Sequence, residues 1–374
     1  MFMARQPGQG TIGAMRTNVI THLDQVTPEW LTAVLTRSGA LMHGAVAAFD
    51  AESGSGNWSR NARLVVRYTV GAQGDLPRQL FLKMVHTDLG DNEFFGPSEV
   101  TYYLQDYIGV EGAPLIRCYD GAYSEALRRY HLLLDDLSAT HVTAREKAPT
   151  LAYGLALAEG LASLHAHWWG GSRLAQAGMP VHNAAHIRRF VAIAEPGANN
   201  LIEQLPAALE SDWPAVITDL FARHPQALLA RTQDVNGFTL IHGDVNNSNI
   251  LAPREGDRPI YLIDRQPFDW SLTTWLGAYD LAYALTIDWE IDLRRQMEIP
   301  ILKHYHATLR QRGVHGYTWE QLFDDYRLSV AMGVYIATEY FRGGVNVKWR
   351  DDALEMLRRA LTACADLNGT ALWS

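Results

Sequence analysis

The segment Leu240–Leu251 constrains this chain more than any other. An apolar pair runs into His242-Gly243-Asp244, four residues intervene, Asn249 follows, and the chain turns apolar again at Ile250-Leu251. Soon after, Tyr261-Leu262-Ile263 makes a second short β-like run that ends in Asp264. An Asp and an Asn five positions apart, followed by an Asp at a strand end, is the layout that phosphoryl transfer asks for. One carboxylate can orient an attacking hydroxyl while an amide and a second carboxylate hold Mg²⁺ on nucleotide phosphates. Asp244 alone could be an exposed loop residue, and Asn249 alone a turn former among Asn246, Asn247 and Ser248. The shared spacing favours the chemical reading, and it selects Asn249 over Asn246 and Asn247.

This constellation resembles the aminoglycoside phosphotransferase and choline kinase-like superfamily, small-molecule relatives of the protein kinases. Those families carry His-Gly-Asp where protein kinases carry His-Arg-Asp, so the chain sides with the small-molecule branch. The resemblance runs from roughly residue 40 to the C-terminus. It implies an α+β, bilobal protein-kinase-like fold: a small antiparallel β-sheet N-lobe with one key helix over 27–134, and a larger, mainly α-helical C-lobe over 135–374; ahead of them 1–26, Gly- and polar-rich at its start, reads as a loosely ordered leader. It also implies roles. Asp244 would orient the substrate hydroxyl, Asn249 and Asp264 would bind Mg²⁺, and His242 and Asp280 would brace the catalytic loop. The chain departs from protein kinases after the second carboxylate, with Asp264-Arg265-Gln266 in place of Asp-Phe-Gly and no Ala-Pro-Glu beyond it. Arg265 is thereby expected to add a cation near the phosphates.

Upstream, Thr27-Pro28-Glu29-Trp30 has the chemistry of a helix start, with Thr27 as N-cap, Pro28 at the first helical position and Gly39 as the stop. Short runs rich in β-branched and aromatic residues follow at Val46–Phe49, Arg63–Val70 and Gln79–Val85, with Gly-containing connectors at 53–56 and 71–74. Gly54 and Gly56 would let backbone amides approach phosphates, with Asn57 and Ser59 as polar tips, although the segment equally suits an ordinary hairpin turn. Lys83 is the only lysine before Lys147 and stands among apolar neighbours, where a lysine is costly unless paired. Glu99, near the start of the next helix, is its expected partner, and Glu93 the weaker alternative. Together they fit the pair that holds ATP phosphates in the resembling family. There, the run ending at Leu134-Asp135 is the hinge whose backbone meets the adenine.

From residue 152 the pattern is helical. Segments 152–168, 184–194, 213–224, 277–285, 292–311, 319–340 and 351–366 read as helices, the second and third ending near Pro196 and Pro225, and the fifth kinked or divided by Pro300. On the first of them Leu155, Ala158, Ala162 and His165 share a face. Asp269, Trp270, Trp275, Asp288, Trp289 and Glu290 mix acids with large aromatics after the catalytic loop, which suits an amine held by charge and cation–π contact. Each of these residues is equally at home in a helical core or on a solvated face.

Composition narrows the classes. A formal charge of −9 argues against a nucleic-acid partner, and two cysteines, Cys118 and Cys364, make neither a disulfide framework nor a metal site. No apolar run approaches a membrane span, and 1–18 lacks the apolar core of a secretory signal, so a cytoplasmic protein with no membrane partner is expected. The expected cofactors are ATP and Mg²⁺, and the expected partner is a small-molecule hydroxyl acceptor, cationic in one version. The rival from another class is a nucleotide-binding pseudokinase acting as an interaction module. The intact set Lys83, Glu99, Asp244, Asn249 and Asp264 speaks against it. The sequence is silent on oligomeric state.

Overall fold

A computed structural model describes residues 18–56, 58–90, 93–94, 96–179, 181–345 and 348–373. The chain divides into two compact units. The first runs to Gln105 and resumes over Arg117–Asp136; the second comprises Asp106–Ile116 and everything from Leu137. The sequence treats 27–134 as one continuous lobe and contains no sign that Asp106–Ile116 belongs with the second unit.

In the first unit, helix α1 (Pro28–Arg37) starts where Thr27 Oγ1 accepts the Trp30 amide at 3.1 Å. Strands follow as β1 (Leu41–His43), β2 (Val46–Ser55), β3 (Ser59–Tyr68), β4 (Gln73–Gly74), β5 (Gln79–His86), β6 (Asp88–Gly90) and β7 (Glu93–Phe94). Helix α2 (Ser98–Thr101) continues into a wider π-helical turn at Tyr102–Asp106, and β8 (Cys118–Ser124) and β9 (Arg129–Asp135) complete the unit. Five strands form one antiparallel sheet in the order β2-β3-β5-β9-β8. Alternation decides its faces: Ala62, Leu64 and Val66 of β3 and Leu80, Leu82 and Met84 of β5 join Leu31, Val34 and Leu35 of α1 in one core. Each fully buried aliphatic side chain there contributes roughly 1.5–3 kcal/mol. The period of two that buries Leu82 puts Lys83 on the other face, beside Leu132 of β9. The β2–β3 hairpin is longer than its glycines suggest, since Gly54 and Ser55 still pair with Asn61 and Arg60.

The second unit opens with β10 (His141–Thr143), then α3 (Leu151–His167), α4 (Gly171–Gln176), α5 (Ala184–Gln204) and α6 (Trp213–Arg231). Four short strands follow, β11 (Phe238–Leu240), β12 (Ile250–Pro253), β13 (Tyr261–Leu262) and β14 (Thr274–Leu276). The rest is helical: α7 (Ala278–Ile287), α8 (Ile291–Gln311), α9 (Trp319–Val330), α10 (Met332–Glu339) and α11 (Arg350–Asp366). Helices pack α3 on α8, α5 on α10, α7 on α9 and α10 on α11. Three expected breaks do not occur, because α5, α6 and α8 run straight through Pro196, Pro225 and Pro300. Long tertiary contacts outweigh one missing amide bond. In α5 the residue after the proline, Gly197, lies so close to α10 that a Cβ would sit 1.9 Å from the Thr338 carbonyl oxygen. Conversely, the expected single helix 319–340 divides at Ala331, where no helix breaker stands. Among the described residues, no helix is long and apolar enough to cross a membrane.

Candidate active site

The loop between β11 and β12 carries Asp244 and Asn249. β12 pairs antiparallel with β13, Ile250 opposite Leu262, and the Ile263 amide donates to the Asn249 carbonyl at 2.9 Å. That pairing brings Asp264 back alongside the end of the loop that holds Asn249. Asp264 itself has φ of 58°, left-handed and costly for a residue with a side chain. Gly243, at φ of 81°, meets the same demand between His242 and Asp244 without that cost.

Asp280, in the first turn of α7, is fully buried and accepts the amides of His242 at 2.7 Å and Gly243 at 2.9 Å. His165 of α3 lies 3.1 Å from the same carboxylate through Nε2, and 2.8 Å from the Tyr305 hydroxyl through Nδ1. Burial alone would raise the Asp280 carboxyl. The His165 hydrogen bond, its charge and the loop amides outweigh that and hold it below the usual carboxylate range. The His242 ring is buried and driven down to about 4 by desolvation, so it is neutral.

Asp244 is partly exposed and accepts three side-chain hydrogen bonds. Asn246 Nδ2 and the Tyr283 hydroxyl donate to Oδ1, each at 2.9 Å, and Asn249 Nδ2 donates to Oδ2 at 2.9 Å. Desolvation pushes its pKa up to about 6, helped by the charge of Asp264 and opposed by the Asn246 and Tyr283 hydrogen bonds. Asn249 Nδ2 also donates to the Asp244 carbonyl, so the amide nitrogen is committed and the oxygen remains as a ligand atom. Among the described residues no cluster of three His, Cys, Asp or Glu could hold a metal. An amide oxygen, a carboxylate and crowded negative charge fit instead a hard cation that takes its other ligands from phosphates and water.

In the first unit, Lys83 Nζ donates to both oxygens of Glu99, at 2.9 and 2.8 Å, and the Tyr130 hydroxyl donates to Glu99 Oε2 at 2.5 Å. Glu99 is only 3% exposed, so its partner is fixed by the burial of the charge.

The second unit also contains a cleft of about 140 Å³ lined by Asp244. Its walls come from α5 (Phe190, Ile193, Ala194), α7 (Tyr279, Tyr283), α10 (Tyr335, Ile336, Glu339) and the segment after Asp264 (Gln266, Phe268, Trp270, Ser271), with Tyr340 beyond α10. Phe268 and Trp270 stack at 4.9 Å between centroids. The lining is thus aromatic, with Glu339 the one acid besides Asp244, and Arg342 lies 3.7 Å from it.

A model of the ecdysteroid kinase-like family matches residues 104–314, more than half of the chain. The chain belongs to the ecdysteroid kinase-like family. No curated protein matches the sequence. Among solved structures, a choline kinase from Cryptosporidium parvum Iowa II is similar at TM-score 0.56 and 9% identity, covering 92% of this chain and 97% of its own. A glucosamine kinase is similar at 0.54 and 15%, covering 95% and 89%. A spectinomycin phosphotransferase, in complex with ADP and spectinomycin, is similar at 0.51 and 11%, covering 92% and 99%. At such identities the likeness is one of fold. It is the α+β, protein-kinase-like fold of the aminoglycoside phosphotransferase and choline kinase-like superfamily.

Within this ecdysteroid kinase-like chain the structure sorts the residues singled out by sequence. It brings Asp244, Asn249, Asp264, His242 and Asp280 together around one loop, and Lys83 to Glu99. The Gly56 amide donates to the Ser59 carbonyl at 2.9 Å in the hairpin turn, while Asn57 lies outside the described residues. At the end of β9, Asp135 accepts the Tyr119 hydroxyl at 2.6 Å, next to buried Leu134. Of the proposed substrate residues, Trp270 lines the cleft. Asp269 is exposed and paired with Arg189 at 3.0 Å. Asp288, raised to about 7 by burial, accepts the Asn247 amide at 2.6 Å and so supports the loop. Trp289 is buried and stacked on Tyr153, Trp275 is buried against Phe238, and Glu290 pairs with Arg359. Nor is Arg265 a cation open to phosphates, because it is 5% exposed and paired with Asp106. Sequence reasoning missed Phe190, Tyr283, Tyr335 and Tyr340. Only the Tyr279/Tyr283 spacing around Asp280 offered a signal.

Proposed function

We propose that this chain is an ATP-dependent, Mg²⁺-requiring phosphotransferase that acts on a hydroxyl of a small molecule with a largely apolar body. The observation that supports this best is Asp244. Its carboxylate is fixed by Asn246, Asn249 and Tyr283 on the wall of an aromatic cleft large enough to admit part of an acceptor. Asp244 orients the acceptor hydroxyl and takes its proton as that oxygen bonds to the γ-phosphorus and the bond to the ADP oxygen breaks. A pKa near 6 keeps the group ionised at neutral pH yet able to hold a proton. Lys83, aligned by Glu99, is assigned to the ATP phosphates, and Leu134 and Asp135 to the adenine. Asn249 and Asp264 are assigned to Mg²⁺, which when bound neutralises phosphate charge. His242 and Asp280 serve by holding the loop.

The acceptor reading comes from the lining. Seven aromatic residues and a single acid besides Asp244 suit a ring-bearing alcohol better than a polycation. The ecdysteroid of the family's name is such a molecule. A second reading, a monocationic amino alcohol held over the rings, draws on Glu339 and cation–π attraction. The test is mass spectrometry of steroid alcohols, amino alcohols, sugars and aminoglycosides incubated with Mg·ATP. A phosphate adduct on a ring-bearing neutral alcohol is expected. Adducts confined to aminoglycosides would refute the acceptor reading, and nucleotide binding with no adduct on any class would favour the interaction module.

A further inference from the structure

Asp264 holds a left-handed backbone that costs a residue with a side chain about 1–2 kcal/mol, so its surroundings must impose it. Hydrogen bonds fix the chain on both sides: Ile263 N to Asn249 O at 2.9 Å, and Gln266 N to His242 O at 3.1 Å. Between these anchors stands Arg265, 5% exposed, its guanidinium paired with the Asp106 carboxylate, which is itself 12% exposed. Arg265 Nη1 donates to Asp106 Oδ2. A desolvated pair of this kind is costly unless made. Asp106 is in turn tied down. Its carbonyl accepts the Trp168 indole N–H at 2.8 Å, from the end of α3. The same short segment reaches both strands that lead to the site: the Tyr107 hydroxyl donates to the Leu240 carbonyl at 3.2 Å, and the Leu262 amide donates to the Pro114 carbonyl at 2.8 Å. Residues 106–116 therefore form a strap behind the catalytic loop, and the Arg265 pair is where that strap grips the residue next to Asp264.

We propose that the Asp106–Arg265 ion pair is a positioning device that holds the Asp264 carboxylate for the metal, at the place where protein kinases carry Phe. The inference rests on the metal assignment made under Proposed function. Its test is calorimetry of ADP binding to the full chain with Mg²⁺ and with EDTA. The wild type should bind ADP more tightly with Mg²⁺. Asp106→Leu combined with Arg265→Met removes both charges without leaving either buried and unpaired, so the fold is expected to survive. In that double variant the metal-free affinity should stay within about twofold, and the Mg²⁺-dependent tightening should fall by about tenfold, the usual scale for a residue that orients a ligand. A folded double variant with the full wild-type tightening would overturn the proposal. Should the double variant not fold, Arg265→Lys, which keeps the charge on a shorter side chain and withdraws the Nη1 donor from Asp106, is expected to lose about threefold of the tightening; full retention there would equally overturn it. A wild type whose ADP binding ignores Mg²⁺ would instead overturn the metal assignment, and this inference with it.

Discussion

Asp244 accepts hydrogen bonds from three side chains. Tyr283 is the informative one, because its hydroxyl touches Asp244 Oδ1 and nothing in the sequence motif demanded it. Tyr283→Phe keeps the ring in the cleft wall and deletes one hydrogen bond to a charged acceptor, worth about 1.5–3 kcal/mol. We predict a fall in kcat of about tenfold or more with KM for ATP unchanged, read by steady-state kinetics; an unaltered kcat would remove Tyr283 from the machinery. Asp280 acts one layer further back. Asp280→Asn keeps an oxygen acceptor but loses the charge that two loop amides and His165 face. The expected cost is about 2–4 kcal/mol of stability, measured by urea unfolding, together with loss of activity.

Helices α5 and α10 both line the cleft beside Asp244, and Gly197 sets their approach. Gly197→Ala puts a methyl into the Thr338 carbonyl, which only a shift of one helix can relieve. A loss of about 1–3 kcal/mol is predicted, with a raised KM for the acceptor and little change for ATP, checked by denaturation and initial rates. At this scale the sequence was legible where local chemistry decides. The cap at Thr27, the alternating strands that turn Lys83 away from the core, and the loop spacing that brings Asn249 onto Asp244 all lie within a few residues. It was illegible where distant packing decides. The prolines inside α5, α6 and α8 are carried by neighbouring helices, and the break at Ala331 has no local breaker. The acids and tryptophans after the loop could not be told apart by type, since Trp270 lines the cleft while Trp289 fills the core. Arg265 likewise reads as a free cation until Asp106, 159 residues away in the chain, is seen beside it.

Across the second unit, buried neutral histidines make stability depend on pH. His224 sits between α6 and the helices opposite, its Nε2 donating to the Leu328 carbonyl at 3.0 Å and its Nδ1 facing the Tyr335 hydroxyl at 2.9 Å. Desolvation lowers it to about 4, and His242 likewise. Unfolded, each titrates near 6.5, so the unfolded chain binds protons that the folded chain refuses. Their contribution is complete above pH 6.5 and is lost as the pH falls toward 4, at about 3 kcal/mol for His224 alone. Asp244 and Asp288, raised to about 6 and about 7, oppose this by taking up protons in the folded chain over the same range, so the readout is a difference: His224→Gln should lose less urea stability between pH 7 and 5 than the wild type does. Equal pH slopes in the two proteins would contradict the burial of His224.

If Asp244 carries the phosphoryl transfer proposed for this ecdysteroid kinase-like chain, turnover must fail without its carboxylate. The decisive measurement is ADP release from Mg·ATP with a phosphorylatable alcohol, wild type against Asp244→Ala. Acceptor-dependent turnover is expected in the wild type and a loss of at least about a hundredfold in the variant, with ATP binding intact. Equal rates in the two proteins, or ATP binding without turnover on any alcohol, would contradict that role.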